Sequence, residues 1–80
     1  MASVSERMAS LIMEKLKIGE KQLLPDSRFR EDLKATSLAL ILLQVAMEEE
    51  FNIELKEEDA LGIISLQTAL EYLYGKGIKD

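Results

Sequence analysis

Glu31-Asp32-Leu33-Lys34-Ala35-Thr36-Ser37-Leu38 is the stretch on which the fold turns: a polar turn delivers a serine to the start of the most apolar helical segment in the chain. From Leu38 to Phe51 there is neither glycine nor proline, and Leu, Ile, Ala, Met, Gln and Glu dominate, so a helix is favoured from about Ser37 to Glu50. Thr36 or Ser37 would cap it. A hydroxyl at such a position ordinarily accepts a hydrogen bond from an orphan amide of the first turn. A chemical role for Ser37 therefore needs support from the residues around it.

Working outward, Ser3-Val4-Ser5-Glu6 fits a capping box that opens a first helix. Val4, Met8, Leu11, Ile12 and Leu16 share one face of it, and Gly19 marks the stop. From Glu20 to Thr36 the chain lacks periodicity and holds the only proline, Pro25, so it reads as a long connection. Leu23, Leu24, Phe29 and Leu33 are its expected anchors, and Asp26-Ser27 can begin a short helical turn. Beyond Phe51, Ile53-Glu54-Leu55 alternates like a strand but has no partner to pair with, so it is read as an extended connector. Glu57 to Leu61 reads as one short helix ended by Gly62, and Ser65 caps a last helix to about Tyr74, with Leu66, Ala69, Leu70 and Leu73 inward. The tail from Lys76 to Asp80 is expected to be mobile. Three main helices and one short one predict an all-α, up-and-down four-helix bundle, with residues 1–80 as a single domain.

Composition narrows the chemistry. The 80 residues contain no cysteine and no histidine, which removes Ser-His-Asp and Cys-His triads and the usual zinc sites. A net charge of -5 opposes phosphate-backbone and anionic-membrane binding. Tyr72 and Tyr74 sit on the terminal helix, where core and edge packing accounts for them better than a base-stacking platform. The acids from Glu48 to Asp59 lack the alternating ligands and central glycine of a calcium loop, so they read as a solvated face or as a docking site for basic partners. No secretory leader is visible in Met1 to Leu16, and the longest apolar run, Leu38 to Leu43, is far short of a membrane span. The expectation is a soluble, cytoplasmic monomer that inserts into no membrane and is not an enzyme.

The central stretch resembles the Asp-Leu-Gly-x-Asp-Ser-Leu signature of acyl carrier proteins, with matches at Asp32, Leu33, Ser37 and Leu38. The similarity continues through Met47-Glu48-Glu49-Glu50-Phe51-Asn52-Ile53-Glu54-Leu55 and Ser65 to Leu73, and back to Val4-Ser5-Glu6-Arg7. Two departures stand out: Thr36 replaces the aspartate before the serine, and Lys34 replaces the glycine. The resemblance implies a carrier that holds acyl intermediates as thioesters on a phosphopantetheine arm, drawn from coenzyme A and joined to Ser37. Its partners would be a phosphopantetheinyl transferase and separate fatty-acid, lipid or polyketide-type enzymes. A hydroxyl at a helix start suits this, because the free amides and positive dipole end favour a phosphate.

On the family pattern, Leu38, Leu43, Met47 and Phe51 form the inward stripe of the second helix, and Ile41, Leu42 and Val45 are surplus to the core. The implied docking face comprises Thr36, Leu38, Ala39, Ile41, Leu42 and Val45 with the acids Glu48, Glu49, Glu54 and Glu57. Loss of acids at Thr36, Ala39 and Leu42 points to a specialised rather than a housekeeping carrier. The alternatives are an unmodified carrier-like interaction or scaffold domain, and a carrier for aminoacyl groups.

Overall fold

A computed structural model describes residues 2–80; Met1, which the single-domain reading includes, lies outside them. The described residues form an all-helical bundle: α1 (Val4–Leu16), a 3-10 turn (Glu20–Gln22), α2 (Ser37–Phe51), α3 (Glu57–Leu61) and α4 (Leu66–Gly75). Local chemistry sets the starts of three helices. Ser3 and Glu6 close the capping box of α1, Thr36 Oγ1 accepts the Ala39 amide at α2, and Ser65 Oγ accepts the Thr68 amide at α4. α1 ends at Lys17, which turns left-handed at φ 59°, and not at Gly19, which instead precedes the 3-10 turn.

α1 packs against α2 and α4 around one core, in which Val4, Met8 and Ile12 meet Leu43, Met47 and Phe51 on one side and Leu66, Ala69 and Leu73 on the other. Leu11, Leu16 and Leu70 border it and are half-buried. The inward stripe of α2 holds for Leu43, Met47 and Phe51 and fails for Leu38, which is 65% exposed, while Ala46 is buried in its place. The cause is that α2 is apolar nearly all round, so its sequence fixes a helix without fixing which side faces in. Ile41, Leu42 and Val45 are left about half exposed.

Acids in the last turn of α2 oppose its dipole, and α1 supplies the remedy. Arg7 Nε pairs with Glu50 Oε2 at 2.8 Å, its Nη2 donates to the Glu50 carbonyl, and the guanidinium lies 4.6 Å from the Phe51 ring centroid. Glu48 Oε2 accepts the Leu55 amide, which ties the extended connector back to α2.

The long connection is anchored chiefly by Phe29, 2% exposed. Its amide donates to the Ile64 carbonyl and its carbonyl accepts the Ala35 amide, both at 2.8 Å. Leu23 and Leu33 are half-buried as expected, but Leu24 is 57% exposed, because Leu24 and Ser27 close a turn on each other and Ser27 takes the buried place. The helical turn also lies at Glu20–Gln22, where the Gln22 side chain accepts the Gly19 amide, rather than at Asp26-Ser27. The tail is not loose either: Asp80 Oδ1 accepts the Val4 amide and Ile78 packs on the core.

Between Arg28 and Thr36 the loop is wound on Asp32. Its carboxylate accepts the Arg28 amide at 2.8 Å and pairs with the Arg28 guanidinium, while Asp32 and Leu33 donate their amides to the Arg28 carbonyl. The turn is then completed by Lys34 at φ 59°, a left-handed conformation that glycine adopts freely and a residue with a Cβ adopts at a cost of about 1–2 kcal/mol. Glycine's larger unfolded-state entropy returns about 0.5–1 kcal/mol of that difference. Lys34→Gly should therefore stabilise the protein by about 0.5–1 kcal/mol in chemical denaturation.

The Asp32 carboxyl is held below the usual aspartate range, first by the Arg28 amide, then by hydrogen bonding and charge of the Arg28 guanidinium. A folded-state value below the unfolded one stabilises above the ordinary aspartate titration near pH 4 and is lost as pH falls through the folded value. Asp32→Asn should lower the melting temperature at neutral pH, and the gap to wild type should close in melts recorded progressively below pH 4. A gap that is constant with pH would show that the turn does not depend on the charge.

Candidate functional site

The first residue of α2, Ser37, is the centre of the site. Capping falls on the Thr36 hydroxyl, so the Ser37 hydroxyl takes no part in satisfying the helix start and is exposed. Its partner is instead Arg30, whose Nη2 donates to Ser37 Oγ at 2.6 Å from seven residues earlier in the chain. Arg30 enters none of the ion pairs formed among the described residues, whereas its neighbour Arg28 is engaged by Glu31 at 3.6 Å and Asp32 at 3.3 Å. The first turn of α2 contains no acid. Ser37 Oγ thus lies among unpaired helix amides, the positive end of the dipole and a guanidinium, surroundings that favour a negatively charged substituent.

Ser37 and Arg30 also stand at the edge of a cleft of about 750 Å³. One wall is α2, through Leu40, Ile41, Gln44 and Met47; the other is Leu55 with the α3 region, through Ala60, Leu61, Ile63 and Ile64. α3 is too short to hold this place by helix propensity alone. It is tied to α4 by the Tyr72 hydroxyl, which donates to Asp59 Oδ2 at 3.3 Å; burial first, and then Asp59, raise the Tyr72 phenol above its usual range. The residues present fit a phosphodiester-linked arm at Ser37, with anion-favouring groups at the hydroxyl and, beside it, a largely apolar recess whose lining also includes the acids Glu31 and Glu57.

The sequence-predicted residues divide into two groups. Thr36, Leu38, Ala39, Ile41, Leu42 and Val45 surround or follow Ser37 along α2, with Ala39 half-buried and the others exposed. Glu49, Glu54 and Glu57 are exposed, and Glu48 is half-buried with one oxygen committed to the Leu55 amide. Arg30 was missed, and no spacing in the sequence would find it, because the loop alone brings it to Ser37. The cleft walls Leu61 and Ile64 were missed as well, since a five-residue helix and the short apolar segment after its stop give no clear periodic signal.

A protein-family model described as "Phosphopantetheine attachment site" matches residues 6–73. An "Acyl carrier protein" of Nitratidesulfovibrio vulgaris (strain DSM 19637 / Miyazaki F) is 42% identical over 74 residues, covering 92% of this chain and 97% of that protein. Proteins of the same description from strains DP4 and Hildenborough of that species are each 39% identical with the same coverage. The family match takes in most of α1 and α4, all of α2 and α3 and the loop that presents Ser37, and the chain belongs to the acyl carrier protein family.

Proposed function

We propose that this chain is one carrier domain, not a catalyst, whose phosphopantetheine is joined to Ser37 and whose acyl cargo is handed between separate cytoplasmic enzymes. The observation that carries the assignment is the division of labour at the helix start: Thr36 caps α2, which leaves the exposed Ser37 hydroxyl free for attachment. When bound, the arm supplies the thiol on which an acyl group rides as a thioester. Around it, the first-turn amides and Arg30 favour the phosphate, and Leu40, Ile41, Met47 and Ile64 offer the cargo an apolar wall. No histidine or cysteine is present to act on the cargo, and no helix among the described residues is long and apolar enough to cross a membrane. Incubation with coenzyme A and a broad-specificity phosphopantetheinyl transferase should add one arm, located on Ser37 by peptide mass. Ser37→Ala should fold, since its cap is Thr36, and should take none; an arm found elsewhere overturns the assignment.

The same face supports a specialised carrier. Leu38, Ile41, Leu42 and Val45 are exposed next to Ser37, so any enzyme that reaches the arm meets them, and the occupant of this face is that enzyme. Burying the exposed half of one such side chain is worth about 1 kcal/mol, comparable to or greater than a surface ion pair. The acids Glu49, Glu54 and Glu57 steer a basic partner from the far end of α2, the connector and the start of α3, while Thr36 and Ala39 add no charge at the near end. Leu42→Glu combined with Ala39→Asp should weaken binding to a dedicated acyl-processing enzyme by about fivefold or more, and should improve turnover by a general fatty-acid enzyme. Equal rates with both enzymes would remove the face from docking, and a shift in sedimentation instead would mark it as a self-association surface.

A further inference from the structure

We propose that Arg30 binds the phosphate of the arm, and so is a second prosthetic-group residue besides the serine that bears it; the inference rests on the reading of Ser37 as the attachment residue. The geometry begins with the 2.6 Å contact from Arg30 Nη2 to Ser37 Oγ, the oxygen that becomes the ester oxygen on attachment. The non-bridging phosphate oxygens are then two bonds from an atom that Arg30 already touches. A guanidinium has five N–H donors in a planar fork suited to two such oxygens, and pairs with them more strongly than with a neutral hydroxyl.

Charge on the loop singles out this residue. Arg28 is sequestered by Glu31 and Asp32, and Arg30 is the loop cation that hydrogen-bonds Ser37. Before attachment, its charge adds to the positive end of the α2 dipole with no acid in the first turn to offset it. An anion at Ser37 turns that repulsion into attraction. Because Arg30 also lines the cleft, pairing holds the root of the arm beside the apolar recess and away from the outer face of α2.

The test is 31P NMR of the full-length chain after enzymatic attachment, for wild type, Arg30→Gln and Arg30→Lys, with each protein in denaturant as the unpaired reference. In the native wild type the phosphodiester resonance should be displaced from that reference, and the displacement should shrink as salt is raised from about 10 mM to about 1 M. Arg30→Gln should lose at least half of the displacement and most of the salt response, while Arg30→Lys, a point charge without the fork, should keep an intermediate part. Identical resonances and salt responses in wild type and Arg30→Gln, with peptide mass placing the arm on Ser37, overturn the role of Arg30 alone. An arm on any other residue overturns the Ser37 reading and this inference together. Arg30 is exposed and outside the core, so loss of folding does not confound the comparison.

Discussion

The arrangement depends on the fixing of Phe29. Nineteen residues separate Lys17, the C-cap of α1, from Ser37, and a connection that long has no reason of its own to stop in one place. Burial of one phenyl ring is worth about 1.5–3 kcal/mol, and each of its two backbone hydrogen bonds adds about 1 kcal/mol. Loop-closure entropy grows only slowly with length, so one well-buried anchor offsets much of it. With Phe29 held between Ile64 and Ala35, the following residues have one course, through the Asp32 turn and the left-handed Lys34 to the Thr36 cap. That course brings Arg30 to Ser37. The core thus reaches the site chiefly through one aromatic side chain in a loop, with Leu33 and Ala35 packed beside it.

Electrostatically, α2 is arranged against its own dipole at both ends. Its start has no acid and a neighbouring arginine, and its end has three glutamates. At the C-terminal end the conflict is resolved within the fold, because Arg7 pairs with Glu50 and covers the Phe51 ring. At the N-terminal end it is left unresolved, and Lys34 adds backbone strain one turn away. Unrelieved conflicts of this kind concentrate where a protein meets its ligand, and here both lie beside the serine of a carrier.

What the sequence determined by itself is most of what neighbours within one helical turn set, the α1 stop at Lys17 and the 3-10 turn at Glu20–Gln22 being the exceptions. Ser3 with Glu6, Thr36 or Ser37, and Ser65 name the helix starts, Gly62 ends α3, and the glycine-free run to Phe51 makes α2 a helix, because a cap or a propensity acts over three or four residues. The resemblance at Asp32, Leu33, Ser37 and Leu38, continued through Met47 to Leu55, Ser65 to Leu73 and Val4 to Arg7, supplied the family. The tertiary structure alone decided which side of an all-apolar helix faces inward, so that Leu38 is exposed while Leu43 and Ala46 are buried. It likewise decided that Leu24 yields its place to Ser27, that Asp80 returns to Val4, that Glu48 serves Leu55, and that Arg30 meets Ser37. These outcomes share one physical reason. Each is a competition between groups distant in sequence, or between two sides of a loop or helix that look alike locally, and only the packing of the whole chain ranks them.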